Sequence, residues 1–194
     1  MNERMSAEDR RDQIIKIADT LISELGYLPL PIGELSQRAG VSRALIYARF
    51  ASQHDLVNTV LQVHFNALEN NGLFKATADL QSWDDVHEVA SIYLTHVAEA
   101  GPALHVGFRE PFMKGRIDPR LRAQRDRAFR AIARITRKHL RFGVGDTIAA
   151  VQMLLTIPEE VGRIIFEKEL ALEEGLQLSR RLLNSSIEAL SPSA

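Results

Sequence analysis

The amino-acid sequence predicts an all-α protein of about nine helices, and three observations support this fold class. Apolar residues recur at intervals of three and four along most of the 194-residue chain, which is the period of helices with one buried face. Alternation of the kind that builds strands nowhere extends beyond a few residues. Glycine and proline stand near the ends of the periodic segments, where helices stop.

The first four predicted helices carry recognisable end signals. The first has an apolar stripe that includes Ile14 and Leu21, and Gly26 follows it as a C-terminal cap. The second stops at Gly40, and Ser42 offers its side chain as a cap for the third. The four helices are predicted at Arg10–Leu25, Ile32–Ala39, Arg43–Phe50 and from about Ser52 to Asn70.

A larger helical body is predicted after these helices. Leu73–Ser82 is predicted as a loop, and Pro158 is predicted to kink or break the helix that contains it. The body helices are predicted at Trp83–Ala100, Ala103–Lys114, Pro119–Phe142, Asp146–Leu170 and Leu172–Leu190. The patterns together predict a three-helix head over residues 1–51 and a second domain over residues 52–194.

Residues 32–50 have the pattern of a helix-turn-helix. This motif needs a short first helix, a tight turn with a glycine, and a second helix that faces the major groove of DNA. Gly40 supplies the turn, Ser42 opens the second helix, and Ile46 and Phe50 anchor that helix in the core. The pattern predicts DNA binding, although an αα-hairpin that never meets DNA has the same arrangement of helices.

Residues 11–56 resemble the DNA-binding head of the TetR family of bacterial transcription regulators. The matching positions are Ile14, Ala18, Leu21, Gly26, Tyr27, Ile32, Leu35, Ala39, Gly40, Val41, Ser42, Ile46, Tyr47, Phe50, Asp55 and Leu56. The resemblance implies a sequence-specific, ligand-responsive regulator that binds a double-stranded DNA operator as a dimer. A repressor is expected, because an effector that spreads the two heads suffices to release DNA.

The outer side of the third helix carries most of the predicted contacts to DNA. Arg43 is expected to read guanine, since its guanidinium can donate two hydrogen bonds to that base edge. Tyr47 resembles the phosphate-contacting tyrosine of the family, or it stacks against the first helix. Leu45 contacts a thymine methyl or packs. The predicted DNA-binding residues are Arg43, Ala44, Leu45, Tyr47, Ala48, Arg49, Arg10 and Arg11. Residues 1–50 hold seven basic and seven acidic residues, so the basic ones must share one face.

Apolar stripes in the last two predicted helices favour a homodimer. One head is too small to select a site alone, and two helices from each subunit would form a four-helix interface with two-fold symmetry. The same stripes are also compatible with packing inside their own subunit. The predicted interface residues are Ile148, Val151, Leu155, Gly162, Ile165, Leu176, Leu183 and Ile187.

The middle helices are expected, from the resemblance, to enclose a pocket for an unidentified small-molecule effector. Its candidate lining residues, which are also candidates for plain core, are Trp83, Tyr93, His96, His105, Phe108, Arg109, Phe112 and Met113. His105 and Arg109 lie one helical turn apart and could bind an acidic ligand. No metal is expected, because His87, His96 and His105 are spaced nine residues apart.

The predicted helix Pro119–Phe142 is unusually basic. From Lys114 to Arg141 the chain holds eleven Lys or Arg and two Asp. One interpretation is a solvated face that the acidic segment 159–174 partly neutralises. The other is a second contact with an anion, such as flanking DNA, another polyanion or an acidic membrane surface.

Composition and missing motifs narrow the function further. The chain has no Cys, a polar first segment and no apolar run of about 20 residues, so a cytoplasmic protein without a membrane partner is expected. It has no P-loop, complete dinucleotide fingerprint or hydrolase motif, so neither enzymatic activity nor a cofactor is expected. A helical interaction module that does not bind DNA is the alternative function.

Overall fold

The computed structural model describes residues 6–191, and in this range it confirms the all-α fold class, with ten α-helices, a 3-10 helix at Pro111–Met113 and no strand. The helices are α1 (Ala7–Leu25), α2 (Ile32–Ala39), α3 (Arg43–Arg49), α4 (Gln53–Asn70), α5 (Leu73–Ala78), α6 (Trp83–Ala100), α7 (Ala103–Arg109), α8 (Pro119–Leu140), α9 (Val144–Phe166) and α10 (Leu172–Leu190).

Several helix ends lie where the capping residues predict them. α2, α6 and α10 have the predicted bounds, and Gly26 ends α1 in the left-handed conformation with a φ of 68°. α1 begins three residues earlier than predicted. The reason is a capping box, in which the Ser6 hydroxyl accepts from the Asp9 amide and the Asp9 carboxylate accepts from the Ser6 amide.

The prediction of a loop at Leu73–Ser82 is wrong over its first half, where α5 forms. Gly72 leads into this helix with a φ of 83°, and Leu73 and Thr77 are buried one turn apart. The Thr77 hydroxyl donates to the Leu73 carbonyl oxygen at 2.6 Å. A six-residue helix has little stability of its own, so burial against the surrounding helices stabilises α5.

The predicted helix Ala103–Lys114 is wrong in its last part, because α7 stops at Arg109. Glu110 has extended backbone angles, as expected for a residue that precedes a proline. Pro111 then starts the short 3-10 helix. α9, by contrast, continues through the buried Pro158, so this proline does not break it.

No single helix within residues 6–191 is long and apolar enough to cross a bilayer. α8 and α9 meet the length and composition of a broken span only when they are joined across a bend of 113°.

The described chain divides into two compact units. The first unit comprises the described part of Met1–His64 together with Pro102–Asp118, and the second comprises Phe65–Gly101 with the described part of Pro119–Ala194. The segment 102–118 therefore packs with the N-terminal helices. The boundary of a DNA-binding domain after residue 51 stays a prediction.

In the first unit, α1 packs against α2 and α7, and α2 packs against α3. Gly107 marks a close approach between α7 and α4, since a β-carbon there would lie 2.6 Å from Cδ2 of Leu61. The fully buried side chains of this unit include Ile14, Leu21, Leu35, Ile46, Phe50 and Met113.

In the second unit, α9 is the central helix and packs against α6, α8 and α10. α5 packs against α6 and α8. Gly162 brings α9 close to α6, because a β-carbon there would lie 2.8 Å from Cβ of Val97 and 2.9 Å from the Leu94 carbonyl oxygen.

Candidate nucleic-acid interface

The turn between α2 and α3 is held by its own backbone and by one hydroxyl. Gly40 has a φ of 61°, and its N–H donates to the carbonyl oxygens of Gln37 and Ser36. The Val41 N–H also donates to the Ser36 carbonyl, and the Ser36 hydroxyl donates to the Val41 carbonyl at 2.5 Å. A residue with a side chain would be strained at Gly40, so glycine sets the angle between the two helices.

The start of α3 is fixed by a serine cap, as predicted. The Ser42 hydroxyl accepts a hydrogen bond from the Leu45 N–H at 3.1 Å. Ile46 and Phe50, at the middle and the end of the helix, are each 1% exposed. α3 is therefore anchored on one side and presents its other side to solvent.

The exposed face of α3 consists of four residues at helical spacing. Arg43, Ala44, Tyr47 and Ala48 are all exposed, with half of the Tyr47 surface accessible. Because residues three and four apart share one face of a helix, the four form one strip with small residues beside the arginine and tyrosine. We call these four residues the α3 outer face.

Leu45 and Arg49 lie to the side of this face. They are four residues apart, Leu45 is half-buried and Arg49 is exposed. The sequence left two roles open for Leu45, a thymine contact and packing. Because Leu45 is half-buried, packing is favoured. Arg49 stays accessible at the edge of the helix.

The Arg43 guanidinium lies against the start of α2. A β-carbon at Gly33 would be only 2.7 Å from Nη2 of Arg43. Gly33 thus leaves the space that the guanidinium occupies, a role that the sequence pattern did not indicate. The only available signal was a glycine inside the short predicted helix, where this residue has low helix propensity.

Arg10 and Arg11 at the start of α1 are half-buried and have partners. Nη1 of Arg10 donates to Oε1 of Gln13 at 2.9 Å. The guanidinium of Arg11 lies over the Phe50 ring, 5.1 Å from its centroid, and so ties α1 to the end of α3. A stacked guanidinium keeps its edge N–H groups available for an anion.

Arg38, on α2, is neutralised inside the head. It pairs with Glu24 of α1 and with Glu34 one turn earlier on α2, and these hydrogen bonds raise the pKa of Arg38 above its ordinary value. The balance of seven basic and seven acidic residues thus includes a local ion-pair network. Within α3 itself, the positive charge comes from Arg43 and Arg49.

The segment 102–118 is strapped to α4 at two places. The His54 ring stacks on the Phe112 ring with centroids 4.2 Å apart. The Asn58 side chain donates to the Arg116 carbonyl at 2.9 Å and accepts from the Asp118 N–H at 2.8 Å. One ring stack and two hydrogen bonds therefore hold the segment 102–118 against α4.

The residues predicted to line an effector pocket are divided between the two units. His105, Phe108, Arg109, Phe112 and Met113 belong to the first unit, where Met113 is core and Phe112 stacks on His54. Trp83, Tyr93 and His96 belong to α6 of the second unit. There the Tyr93 hydroxyl donates to Glu159 at 3.3 Å, and Trp83 meets the His139 ring edge-on.

The three histidines considered for a metal site are divided between the two units. His87 and His96 are buried on α6, where His87 Nε2 lies 2.6 Å from Oδ1 of Asn184, and His105 belongs to the other unit. Within residues 6–191, no group of three His, Asp or Glu side chains is arranged to hold a metal ion.

The predicted interface residues divide by burial. Val151, Gly162 and Leu183 are buried in the core of their own unit. Ile148 is exposed, and the partly covered members are Leu155, Ile165, Leu176 and Ile187. Met153, Leu178 and Leu182 on the same two helices are also exposed and were not among the predicted interface residues. They were missed because they fall beside the stripes and not on them.

Comparison with known proteins connects this geometry to a family. Residues 14–60 match the family of bacterial regulatory proteins named after tetR. The HTH-type transcriptional activator FasR of Mycolicibacterium smegmatis is 34% identical over 65 residues, which are 34% of this chain and 30% of FasR. The matched part of the chain thus spans less than a third of the length of this curated relative.

The fold of the chain is similar to that of solved regulators over nearly its whole length. A TetR-like transcriptional regulator from Rhodococcus sp. RHA1 superposes with a TM-score of 0.68 at 16% identity, over 95% of this chain and 99% of that one. The transcriptional regulator FadR from Bacillus subtilis, solved with stearoyl-CoA, superposes with a TM-score of 0.60 at 16% identity, over 94% and 98%. Residues 14–60 therefore match the tetR family of bacterial regulatory proteins, and the fold of the whole chain is similar to that of solved TetR-like regulators.

Proposed function

We propose that this protein is a cytoplasmic, sequence-specific DNA-binding repressor that acts as a homodimer and is released from its operator by a small-molecule effector. The observation that carries the proposal is the α3 outer face. This face is exposed to solvent. Ser42 caps the start of the helix that carries it, and the left-handed Gly40 sets the angle between that helix and α2. A helix built for packing would bury this face.

The dimensions and chemistry of α3 suit the major groove. Seven residues at about 1.5 Å each make a helix roughly 10 Å long, and the groove of B-DNA is about 12 Å wide. The Arg43 side chain would turn away from Gly33 and donate two hydrogen bonds to a guanine. The small side chains of Ala44 and Ala48 would let the helix approach the base edges. Tyr47, Arg49, Arg10 and Arg11 would contact phosphates, which position the protein without reading sequence.

The homodimer would form on the outer side of α9 and α10. Met153 is 74% exposed, and Leu178 and Leu182 lie one turn apart on α10 with about two fifths of their surface accessible. Covering such side chains in a two-fold interface would stabilise the dimer. Two heads would then contact half-sites about 34 Å apart, one turn of DNA.

An effector bound in the second unit would act on the head through covalent connections. The chain passes between the units at residues 64–65, 101–102 and 118–119, and two of these points delimit the strapped segment 102–118. FadR, which shares the fold, was solved with stearoyl-CoA. This supports a small molecule as the effector, with α6 residues Trp83, Tyr93 and His96 as candidates to contact it.

The test is a fluorescence anisotropy titration of the full chain with the DNA upstream of its own gene, against a shuffled duplex of equal length and composition. We expect preferential binding to the upstream DNA. Arg43→Ala should weaken that binding by about 1–3 kcal/mol and reduce the preference, because the base contacts are lost. Arg180→Ala, which removes an exposed arginine from α10, is the matched control and should change neither.

Equal affinity of the wild type for both duplexes would contradict sequence-specific binding and favour the helical interaction module. A reporter gene placed downstream of this DNA distinguishes repression from activation. Expression that rises when the protein is deleted supports a repressor, and expression that falls contradicts it.

A further inference from the structure

A groove of about 810 Å³ runs between α8 and α9, entirely within the second unit. Its volume lies in the range of roughly 300–1,000 Å³ that is typical of small-molecule sites. We call it the α8–α9 groove. The residues that line it are Asp126, Phe129, Arg130, Ala133, Arg134, Arg137, Lys138, Val144, Thr147 and Ile148.

The floor of the α8–α9 groove is apolar and open. Val144 and Ile148 stand one turn apart on α9 and are 60% and 43% exposed. Phe129 and Ala133 stand one turn apart on α8 and are half-buried. Two short apolar rows from two helices therefore line one groove, and an apolar ligand part would gain free energy by covering them.

The groove also carries four cations without carboxylate partners. Arg130, Arg134, Arg137 and Lys138 recur at helical spacing on α8, and all four are exposed. Within residues 6–191, none of them forms an ion pair, and Arg134 donates only to the Leu80 carbonyl, at 3.4 Å. Self-repulsion of such a cluster is relieved by an anion.

Asp126 of the lining and two residues of the acidic segment pair with other arginines. Asp126, the one carboxylate in the lining, accepts from Nε and Nη2 of Arg125 at 3.2 and 3.0 Å. Glu160 and Glu167 of the acidic segment both pair with Arg163, whose pKa they raise above its ordinary value. Glu160 and Glu167 thus form ion pairs with Arg163 and not with the four groove cations.

We infer that the α8–α9 groove binds an anionic amphiphile: a small molecule with an apolar tail and a carboxylate, sulfate or phosphate head. The tail would cover Phe129, Val144 and Ile148, and the head would accept hydrogen bonds from Arg130, Arg134 and Arg137. Guanidinium groups suit such heads because they donate two parallel hydrogen bonds to paired oxygens. A polyanion such as DNA has no tail for the apolar floor, so the small amphiphile fits the groove better. The inference does not depend on DNA binding.

The experiment is isothermal titration calorimetry on the full chain with four probes below their micelle-forming concentrations. Dodecanoate and dodecyl phosphate carry tail and anion, dodecyltrimethylammonium carries the same tail with the opposite charge, and acetate carries the anion without the tail. We expect saturable binding of the two anionic amphiphiles, at least about tenfold weaker binding of the cationic one, and none of acetate. Equal binding of both charge types, or of acetate, would overturn the inference.

Variants locate the site. Arg130→Gln with Arg137→Gln removes two groove cations that have no structural partner, and should weaken dodecanoate at least about tenfold. Arg122→Gln with Arg127→Gln removes the same charge from exposed positions on α8 outside the lining, and should leave the affinity unchanged. Thermal melting compares the folding of both variants. Equal loss in the two pairs would overturn the assignment to the groove.

A lipid surface is the other source of the same chemistry. Flotation with phosphatidylglycerol vesicles, against phosphatidylcholine vesicles, distinguishes it from the free molecule. Binding of dodecanoate without vesicle binding supports the groove as a site for single molecules. Binding to phosphatidylglycerol vesicles without binding of dodecanoate would overturn it.

Discussion

Single glycines decide where helices of this protein approach one another. At Gly107, Gly162 and Gly175 a β-carbon would lie within 3 Å of a neighbouring atom, which real side chains do not tolerate without movement. At Gly162 one of those atoms is a backbone oxygen of α6, at 2.9 Å, and a backbone oxygen cannot turn away as a side chain does. The sequence pattern placed Gly162 among the residues of a dimer interface, whereas the structure packs it against α6 of the same unit.

Gly162→Ala is expected to destabilise the protein by about 1–3 kcal/mol, the usual range for overpacking a filled core. Alanine favours a helix by roughly 1 kcal/mol over glycine, so a stabilised variant would show that the clash is relieved without cost. The measurement is the midpoint of urea unfolding. Gly145→Ala in the same helix, where a β-carbon meets nothing within 4 Å, is the matched control and should be neutral or stabilising.

At the scale of the helix, local capping chemistry explains why so many ends were predictable. Ser42, Ser52 and Ser82 each accept from a backbone N–H three residues later, and Gly26 and Gly40 adopt the left-handed conformation. These signals depend on a few neighbouring residues and so can be read from the sequence. α5 has no side-chain cap, and the burial of its Leu73 and Thr77 depends on distant residues.

The cap of α3 can be tested without touching the DNA contacts. Ser42→Ala is expected to lower the free energy of unfolding by about 1 kcal/mol, since the Leu45 N–H loses its acceptor. Ser42→Asn should restore most of it, because asparagine caps a helix start equally well. Thermal or urea unfolding measures both. A Ser42→Ala variant as stable as wild type would show that water replaces the hydroxyl.

The capping box of α6 makes a specific prediction about acid. The Asp85 carboxylate accepts from the backbone N–H groups of Gln81 and Ser82 and from the Ser82 hydroxyl, which lowers the pKa of Asp85 below its ordinary value of 3.8. A lowered folded-state pKa means that the stabilisation is present above pH 3.8 and is lost as the pH falls through the lowered pKa. Asp85→Asn should therefore be less stable than wild type near neutral pH.

The difference between Asp85→Asn and wild type should shrink as the pH falls below 3.8, when unfolding in urea is followed at descending pH. Asp84→Asn, which alters the preceding exposed carboxylate, is the control. A difference that stays constant with pH would mean that the carboxylate charge of Asp85 has no part in capping.

At the scale of the whole molecule, the assembly depends on which apolar surface remains after folding. Val151 and Leu183 lie on the predicted stripes and are buried in the core of the second unit. Met153 and Leu182 remain exposed beside them. A periodic stripe predicts the most buried face of a helix, and an interface forms on what the fold leaves uncovered.

Met153→Glu with Leu182→Glu is expected to convert the proposed dimer to monomers, since two charges would be placed in an apolar two-fold interface. Light scattering gives the mass directly, and operator affinity should fall because paired half-sites can no longer be held together. Val63→Glu, at an exposed valine on α4, is the control and should not alter the mass. A wild-type protein that is already monomeric at micromolar concentration would contradict the homodimer.

The strap between α4 and the segment 102–118 offers a test of effector coupling. Asn58→Ala removes both hydrogen bonds to Arg116 and Asp118. If this segment transmits the effector signal, the variant should bind operator DNA as wild type does but respond less to the effector, as anisotropy with both present would measure. An unchanged response would exclude the strap from the coupling.

The sequence by itself determined the helical class, the turn at Gly40, the Ser42 cap and the exposed strip that begins at Arg43, because each follows from residues only a few positions apart. Tertiary structure alone decided that α5 is helical, that Gly162 faces α6, that Arg43 lies against Gly33 and that the segment 102–118 packs with the head. The physical reason is the range of the interactions. Capping and periodicity act within one helix, whereas burial and close packing depend on which distant surfaces the fold brings into contact.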